Sequence, residues 1–344
     1  MPTCFFVFSP KLRLQLNPTR DKIEEKGGNE MKKIKKLLAP VLAVIMLVLM
    51  LVPALAAGED PVPAKPFENS EFFTYNELTV HYRVFKAENE KAKIFMIHGF
   101  AMSSCCWEEL ATRLCAEGYT CVAADLPDFG YSSRENGSSA LYPREDIMHA
   151  LMTELDANGK WYVAGHSMGG YIALALAAKH PESVKNLMLF GTACNTEKPQ
   201  WLNSMMTNKA FVSVMGPLME LMGRIEPLVK MILSAALCDN DYLKNYDISK
   251  LTAPFKIKGT GAGALYSFSA LPVTDLTAVE KMPPVLYMNG DRDAAIPESD
   301  RELLRQHLPD GSTDITVKGG GHLFIENRAD EVFDDVVSFI NNNI

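Results

Sequence analysis

No two cysteines stand in the C-x-x-C spacing of a thiolate metal site, so the 344-residue sequence offers no such centre. Its seven cysteines form no framework of spaced pairs either. A chain long enough to bury a large core needs no disulfide staples, and free buried thiols are expected. No cysteine follows the apolar run Leu37–Val52, which argues against a lipidated-cysteine anchor. That run is about 16 residues, short of the roughly 20 that span a bilayer. A basic surplus is also missing, because 34 Lys and Arg face 42 Asp and Glu. Residues 1–56 hold nine of the basic and four of the acidic residues, so the remainder keeps 25 and 38, a net charge of −13. A surface of that sign repels phosphate backbones and disfavours nucleic-acid partners. Nothing points to a cofactor.

What is present starts with a leader. Met31-Lys32-Lys33-Ile34-Lys35-Lys36 is a basic segment, the apolar run follows, and Pro53-Ala54-Leu55-Ala56-Ala57 closes it with an A-x-A pattern. Residues 31–56 read as a secretory signal peptide cleaved after Ala56, which implies a secreted or extracytoplasmic protein. An uncleaved membrane anchor is the alternative. Residues 1–30 are expected to be untranslated or non-native, because signal peptides begin at their basic segment. Lys26-Gly27-Gly28-Asn29-Glu30 can be encoded by codons that contain AGGAGG, a bacterial ribosome-binding site, shortly before Met31. Codons there that do not spell it, or peptides from 1–30 found in cells, would refute this. Residues 57–67 are Pro-rich and acidic, a tether.

Beyond the tether, Glu71–Tyr75 and Leu78–Phe85 alternate as two strands of a hairpin. Short apolar strands then alternate with helices: Lys93–Ile97, Trp107–Glu117, Tyr119–Ala124, Tyr142–Asn158, the strand before Ser167, the helix after it, and Val184–Phe190. Such βαβ repetition predicts a mostly parallel sheet with helices on both faces. It stops near Asn195 and resumes with the strand Val285–Met288, the helix Glu298–His307, the strand Thr313–Val317 and the helix Ala329–Asn341. The expected core is therefore 68–195 with 271–344. Residues 196–270 form a helical insertion, placed as a lid over the C-terminal strand ends, where ligands bind in open α/β sheets.

The chemistry centres on Gly165-His166-Ser167-Met168-Gly169-Gly170, a G-x-S-x-G turn between a strand and a helix. A nucleophile at such an elbow needs small neighbours so that its hydroxyl projects. A hydroxyl also needs a base, and the base needs a carboxylate to orient it. His322, in a glycine-rich loop between the last strand and the last helix, is the candidate base. Asp293 is the candidate carboxylate and Asp291 its alternative, both following a strand. Two N–H donors should face the developing oxyanion: Met168, next after the serine, and Phe100, in His98-Gly99-Phe100 after an earlier strand.

These residues, with Asp125–Ser132, Gly290–Asp293 and Gly321-His322, resemble the α/β-hydrolase superfamily, in its capped esterase or lipase-like form, over about residues 93–342. The resemblance implies an α/β-hydrolase fold with a helical lid and an acyl-enzyme mechanism on a carboxylic ester, without cofactor or metal. Ser-dependent cleavage of C–C or peptide bonds is the alternative within the fold, and a non-catalytic binding protein the alternative outside enzymes. Met205, Met206 and Met219 of the lid are candidate contacts for a hydrophobic acyl or alcohol group, since methionine adapts to varied apolar ligands. Ordinary helix packing is the plain reading of the same residues. The expected partners are a small hydrophobic ester and, transiently, a membrane surface; the oligomeric state is left open. One departure stands out: Asp128 occupies a position where the family usually has Gly. It either faces water, the favoured expectation, or biases the site against anions.

Overall fold

Strands buried on both faces by flanking helices read as continuous apolar runs, and four of the strands here do so. They are β3 (Ala92–Ile97), β4 (Tyr119–Ala124), β5 (Trp161–His166) and β6 (Val184–Phe190). The computed structural model describes residues 62–135, 142–195 and 200–343, all within one unit, Leu55–Ile344. The leader, the 1–30 extension and the start of the tether lie outside the described residues. The alternating strands β1 (Ser70–Tyr75) and β2 (Leu78–Phe85) pair as the expected hairpin. With β7 (Leu286–Gly290) and β8 (Thr313–Val317) they complete an eight-stranded sheet in the order β1-β2-β4-β3-β5-β6-β7-β8. Strand β2 runs antiparallel to β4, and every pairing from β4 to β8 is parallel.

The sheet separates two apolar clusters. One holds Phe95, Val163, Leu187 and Tyr287 and is covered by helices α2 (Arg144–Leu155) and α3 (Met168–Lys179). The other holds Ile94, Tyr162, Met188 and Leu286, under helix α1 (Glu108–Glu117) and the final helix Ala329–Asn342. Some expected helix limits shrink: Tyr142–Asn158 is helical only over Arg144–Leu155, because Pro143 fixes the start and Asp156 turns extended. All six cysteines between Cys105 and Cys238 are free. Four are buried as expected, whereas Cys115 and Cys238 are partly exposed.

Between β6 and β7 the described residues form helices joined by turns and irregular stretches, with no strand among them. Helices α4 (Gln200–Met206), α5 (Lys209–Arg224) and α6 (Glu226–Leu237) lead through short turns to α9 (Thr260–Ser269), after α7 (Asn240–Lys244) and α8 (Ser249–Thr252). Residues of α5, α6 and α8 wall a cavity that also reaches Ser167, at the C-terminal end of β5. No helix among the described residues is long and apolar enough to cross a membrane.

Candidate active site

Ser167 sits between β5 and α3 at φ 51° and ψ −117°, a backbone region that costs a non-glycine residue about 1–3 kcal/mol. Its surroundings hold it there. Its N–H donates to the Phe190 carbonyl at 2.9 Å, and its carbonyl accepts from Gly170 N–H and Thr192 Oγ1 at 2.9 and 2.8 Å. The glycines are required by space. A Cβ on Gly165 would stand 2.6 Å from the Gly169 carbonyl oxygen, and one on Gly169 2.2 Å from that of Ile97. At the helix start, the first N–H groups, Met168's among them, have no partner within the helix. They point a positive dipole end at whatever binds beside the serine.

The structure brings Asp293, His322 and the His98-Gly99-Phe100 loop to the same place. Asp293 follows β7, and its Oδ2 lies 2.8 Å from His322 Nδ1. Its Oδ1 accepts from the N–H groups of Ala295 and Ile296 at 2.8 and 3.4 Å. Burial works against its charge, but the His322 hydrogen bond, the His322 charge and those two N–H groups outweigh it, and the carboxyl is held below its ordinary range. Asp291, the alternative, instead accepts from Gly319 N–H at 2.7 Å and ties the aspartate loop to the histidine loop. Sequence alone could not separate the two, since both follow the same strand.

The His98-Gly99-Phe100 loop abuts the elbow. A Cβ on Gly99 would lie 3.2 Å from Ser167 Cβ. His98 is fully buried, accepts from Leu126 N–H on Nε2 at 3.0 Å, and donates from Nδ1 to its neighbour's carbonyl at 2.7 Å. That pattern needs the neutral ring, and burial indeed lowers its affinity for a proton. Phe100 follows, with its ring edge-on to Phe129 and Phe268.

Ser167 and His322 open into one cavity of about 420 Å³. Its walls are mostly apolar, with Phe100, Met102 and Leu323 from the core and Met219, Leu233 and Phe255 from the insertion. No carboxylate lines it among the described residues. Of the three methionines proposed from sequence, Met219 is on the wall. Met205 and Met206 are not, because they lie on the short helix α4, half-buried at a distance from the cavity lining. Met222, Val229 and Ile232 take that part instead. The lining stripe belongs to α5 and α6, and composition alone could not say which methionines face inward.

Two features correct or extend the sequence reading. Asp128 does not face water. It is fully buried at φ 76°, pairs with Arg144 at 2.9 Å, and accepts from Ser267 Oγ of the insertion at 3.1 Å and from Glu135 N–H at 2.8 Å. Arg144, buried too, also pairs with Glu135. At the site of a usual glycine stands a buried ion pair within the core, latched to the insertion by the Ser267 hydroxyl. His166, within the elbow motif, gains a role that its sequence position does not show. It is buried against the cavity, and its Nε2 donates to the His322 carbonyl at 2.9 Å. Burial, reinforced by His322, drops it to about 3, so it is neutral and positions the loop that carries His322. Its place beside the serine was the only available signal.

Residues 94–329 match the alpha/beta hydrolase fold family, and the chain belongs to it. Two relatives show the range of the match. One is the abhydrolase domain-containing protein abhd-5.2 of Caenorhabditis elegans, 37% identical over 134 residues, 36% of this chain and 28% of that protein. This chain thus spans well under a third of that relative. The other is Lipase 1 of Psychrobacter immobilis, 27% identical over 267 residues, 72% of this chain and 76% of that protein. Among solved structures, a thermophilic esterase from Thermogutta terrifontis is 21% identical and superposes with a TM-score of 0.62, over 79% of this chain and 98% of that one, which shows the fold.

Proposed function

We propose that the chain is a serine hydrolase of carboxylic esters bearing a hydrophobic acyl or alcohol group. One observation carries the reading: Ser167 stands on a strained elbow and opens, with His322, into a single apolar cavity, while Asp293 holds the other nitrogen of that imidazole at 2.8 Å. In this reading Ser167 Oγ attacks the ester carbonyl and His322 Nε2 takes its proton. The negative oxygen that forms is met by the N–H groups of Phe100 and Met168, each worth roughly 3 kcal/mol of barrier. His322 returns the proton to the departing alcohol and leaves an acyl-enzyme. Water, deprotonated by the same imidazole, then releases the acid. Asp293, anionic in its buried place, keeps the imidazole oriented and stabilises its positive form.

The apolar walls favour a hydrocarbon chain over a sugar or nucleotide, and the lack of a lining carboxylate disfavours an amino-terminal peptide substrate. The lipase among the relatives agrees with this class. Met222 and Ile232 at the cavity, with Ile225 and Met231 beside them, expose apolar surface from the insertion, which suits a lid that meets a lipid surface transiently. The basic–apolar–A-x-A leader supports a site of action outside the cytoplasm, with residues 31–56 removed on export. The decisive experiment is turnover of p-nitrophenyl esters from acetate to palmitate, with Ser167→Ala alongside. Loss of turnover in that variant with the fold intact supports the reading. Equal turnover refutes it, and a fluorophosphonate-reactive Ser167 without ester turnover redirects it to C–C bond hydrolysis.

A further inference from the structure

At the far end of the elbow helix lies a cluster that ester hydrolysis does not use. His149 comes from α2, His180 ends α3, and Glu182 stands in the turn before β6. The two imidazoles stack with centroids 3.8 Å apart and planes 5° from parallel. Glu182 Oε1 lies 3.8 Å from His149 Nε2 and 3.6 Å from His180 Nδ1. One donor atom from each of the three residues falls within 4.8 Å of the others. We propose that His149, His180 and Glu182 bind a divalent transition-metal ion of the zinc class.

The donor chemistry selects the ion. Two imidazole nitrogens and one carboxylate suit zinc and its neighbours, whereas calcium and magnesium take oxygen donors. Metal–ligand bonds of about 2.0–2.1 Å place donors on a tetrahedral ion roughly 3.3 Å apart. The observed gaps to Glu182 exceed that by a few tenths of an ångström. Glu182 is exposed and free to swing inward, while the stacked rings must tilt out of parallel and His149 Nε2 must exchange its 2.9 Å contact with Ser183 Oγ for the ion. The fourth position falls to water.

An outer partner is already in place. His180 Nε2 lies 3.1 Å from Asp146 Oδ1, so a proton there is held by a carboxylate and the Nδ1 lone pair turns toward Glu182. Carboxylates behind ligating histidines orient the ring in this way and strengthen it as a ligand. Lys179 pairs with the same Asp146 at 2.6 Å, yet Asp146, Glu145 and Glu182 leave the local charge negative. Since His180 ends a helix of 12 residues that starts just after Ser167, the site stands about 18 Å from the elbow. It ties α2, α3 and the entry to β6 together and takes no part in the ester chemistry.

The test is calorimetric titration of the intact protein with zinc chloride at neutral pH, beside His149→Gln, His180→Gln, Glu182→Gln and Asp146→Asn. Glu182 is exposed, so its variant folds even where a histidine variant does not. One-to-one binding that weakens at least tenfold in the three ligand variants supports the site, as does a 10–100-fold loss in Asp146→Asn. Ester turnover, where present, stays at the wild-type level in all four and reports intact folding. Binding of equal strength in Glu182→Gln and His180→Gln overturns the proposal, as does the absence of saturable binding below millimolar zinc. A cobalt complex whose spectrum shows thiolate charge transfer would overturn it too, by placing the metal on Cys115 or Cys238.

Discussion

Asp128 sets two opposing effects against each other, and their sizes decide the outcome of Asp128→Gly. The substitution restores the residue usual at this position in the family. It removes the cost of a side chain at φ 76°, about 1 kcal/mol for an aspartate, which tolerates this region better than most. It also deletes a carboxylate that pairs with Arg144 at 2.9 Å, accepts from Ser267 at 3.1 Å and accepts from Glu135 N–H at 2.8 Å. Breaking a buried ion pair by removing one partner costs about 3–5 kcal/mol. Glu135 remains on Arg144, so the loss falls toward the lower end. The balance is a destabilisation of about 2–3 kcal/mol, read as a lower midpoint in urea denaturation. Asp128→Asn keeps the acceptor for Glu135 N–H and loses only the charge, so it should fall between the two. A glycine variant as stable as the wild type would show that the latch contributes nothing beyond the strain it carries.

Further outcomes follow from other parts of the molecule. Glu326 is buried, and burial pushes its carboxyl up to about 8. From the unfolded value of 4.5 up to about 8, the unfolded chain gives up a proton that the folded chain keeps, so stability falls as pH rises through that window. The loss is up to about 1.4 kcal/mol per pH unit. Glu326→Gln carries no such proton, so its stability should gain on the wild type steadily across that range; parallel denaturation curves from pH 5 to 8 would contradict this. Gly99→Ala puts a Cβ 2.7 Å from His166 Nδ1 and should shift the loop against Ser167, lowering kcat about 100-fold with little change in melting temperature. Leu233→Trp fills part of the 420 Å³ cavity and should move the chain-length optimum toward acetate; an unchanged profile would place the acyl chain elsewhere.

Much of this was legible from local pattern. The parallel strands announce themselves as short apolar runs, and the glycines around Ser167 leave little choice but an elbow, because a Cβ on Gly165 or Gly169 meets backbone and one on Gly170 meets the Thr192 side chain. The helical insertion was visible as the stretch where the strand rhythm stops. What stayed hidden depended on contacts between distant segments. Asp128 looked like a surface charge because its partners, Arg144 and Ser267, stand 16 and 139 residues away. Met205 and Met206 could not be told from Met219 and Met222, because facing inward depends on how each helix docks. His166 gained its role only when the loop of His322, 156 residues on, folded over it.

By itself the sequence determined the order of strands and helices, the elbow, and the kinds of side chain available for its chemistry. These follow from periodicity and steric rules that act over a few residues. Tertiary structure alone decided which aspartate faces His322, which insertion residues wall the cavity, where the charge of Asp128 is spent, and that two histidines from separate helices stack beside one carboxylate. Each of those is a distance between residues far apart in the chain, and such distances are fixed only when the sheet assembles and its helices pack.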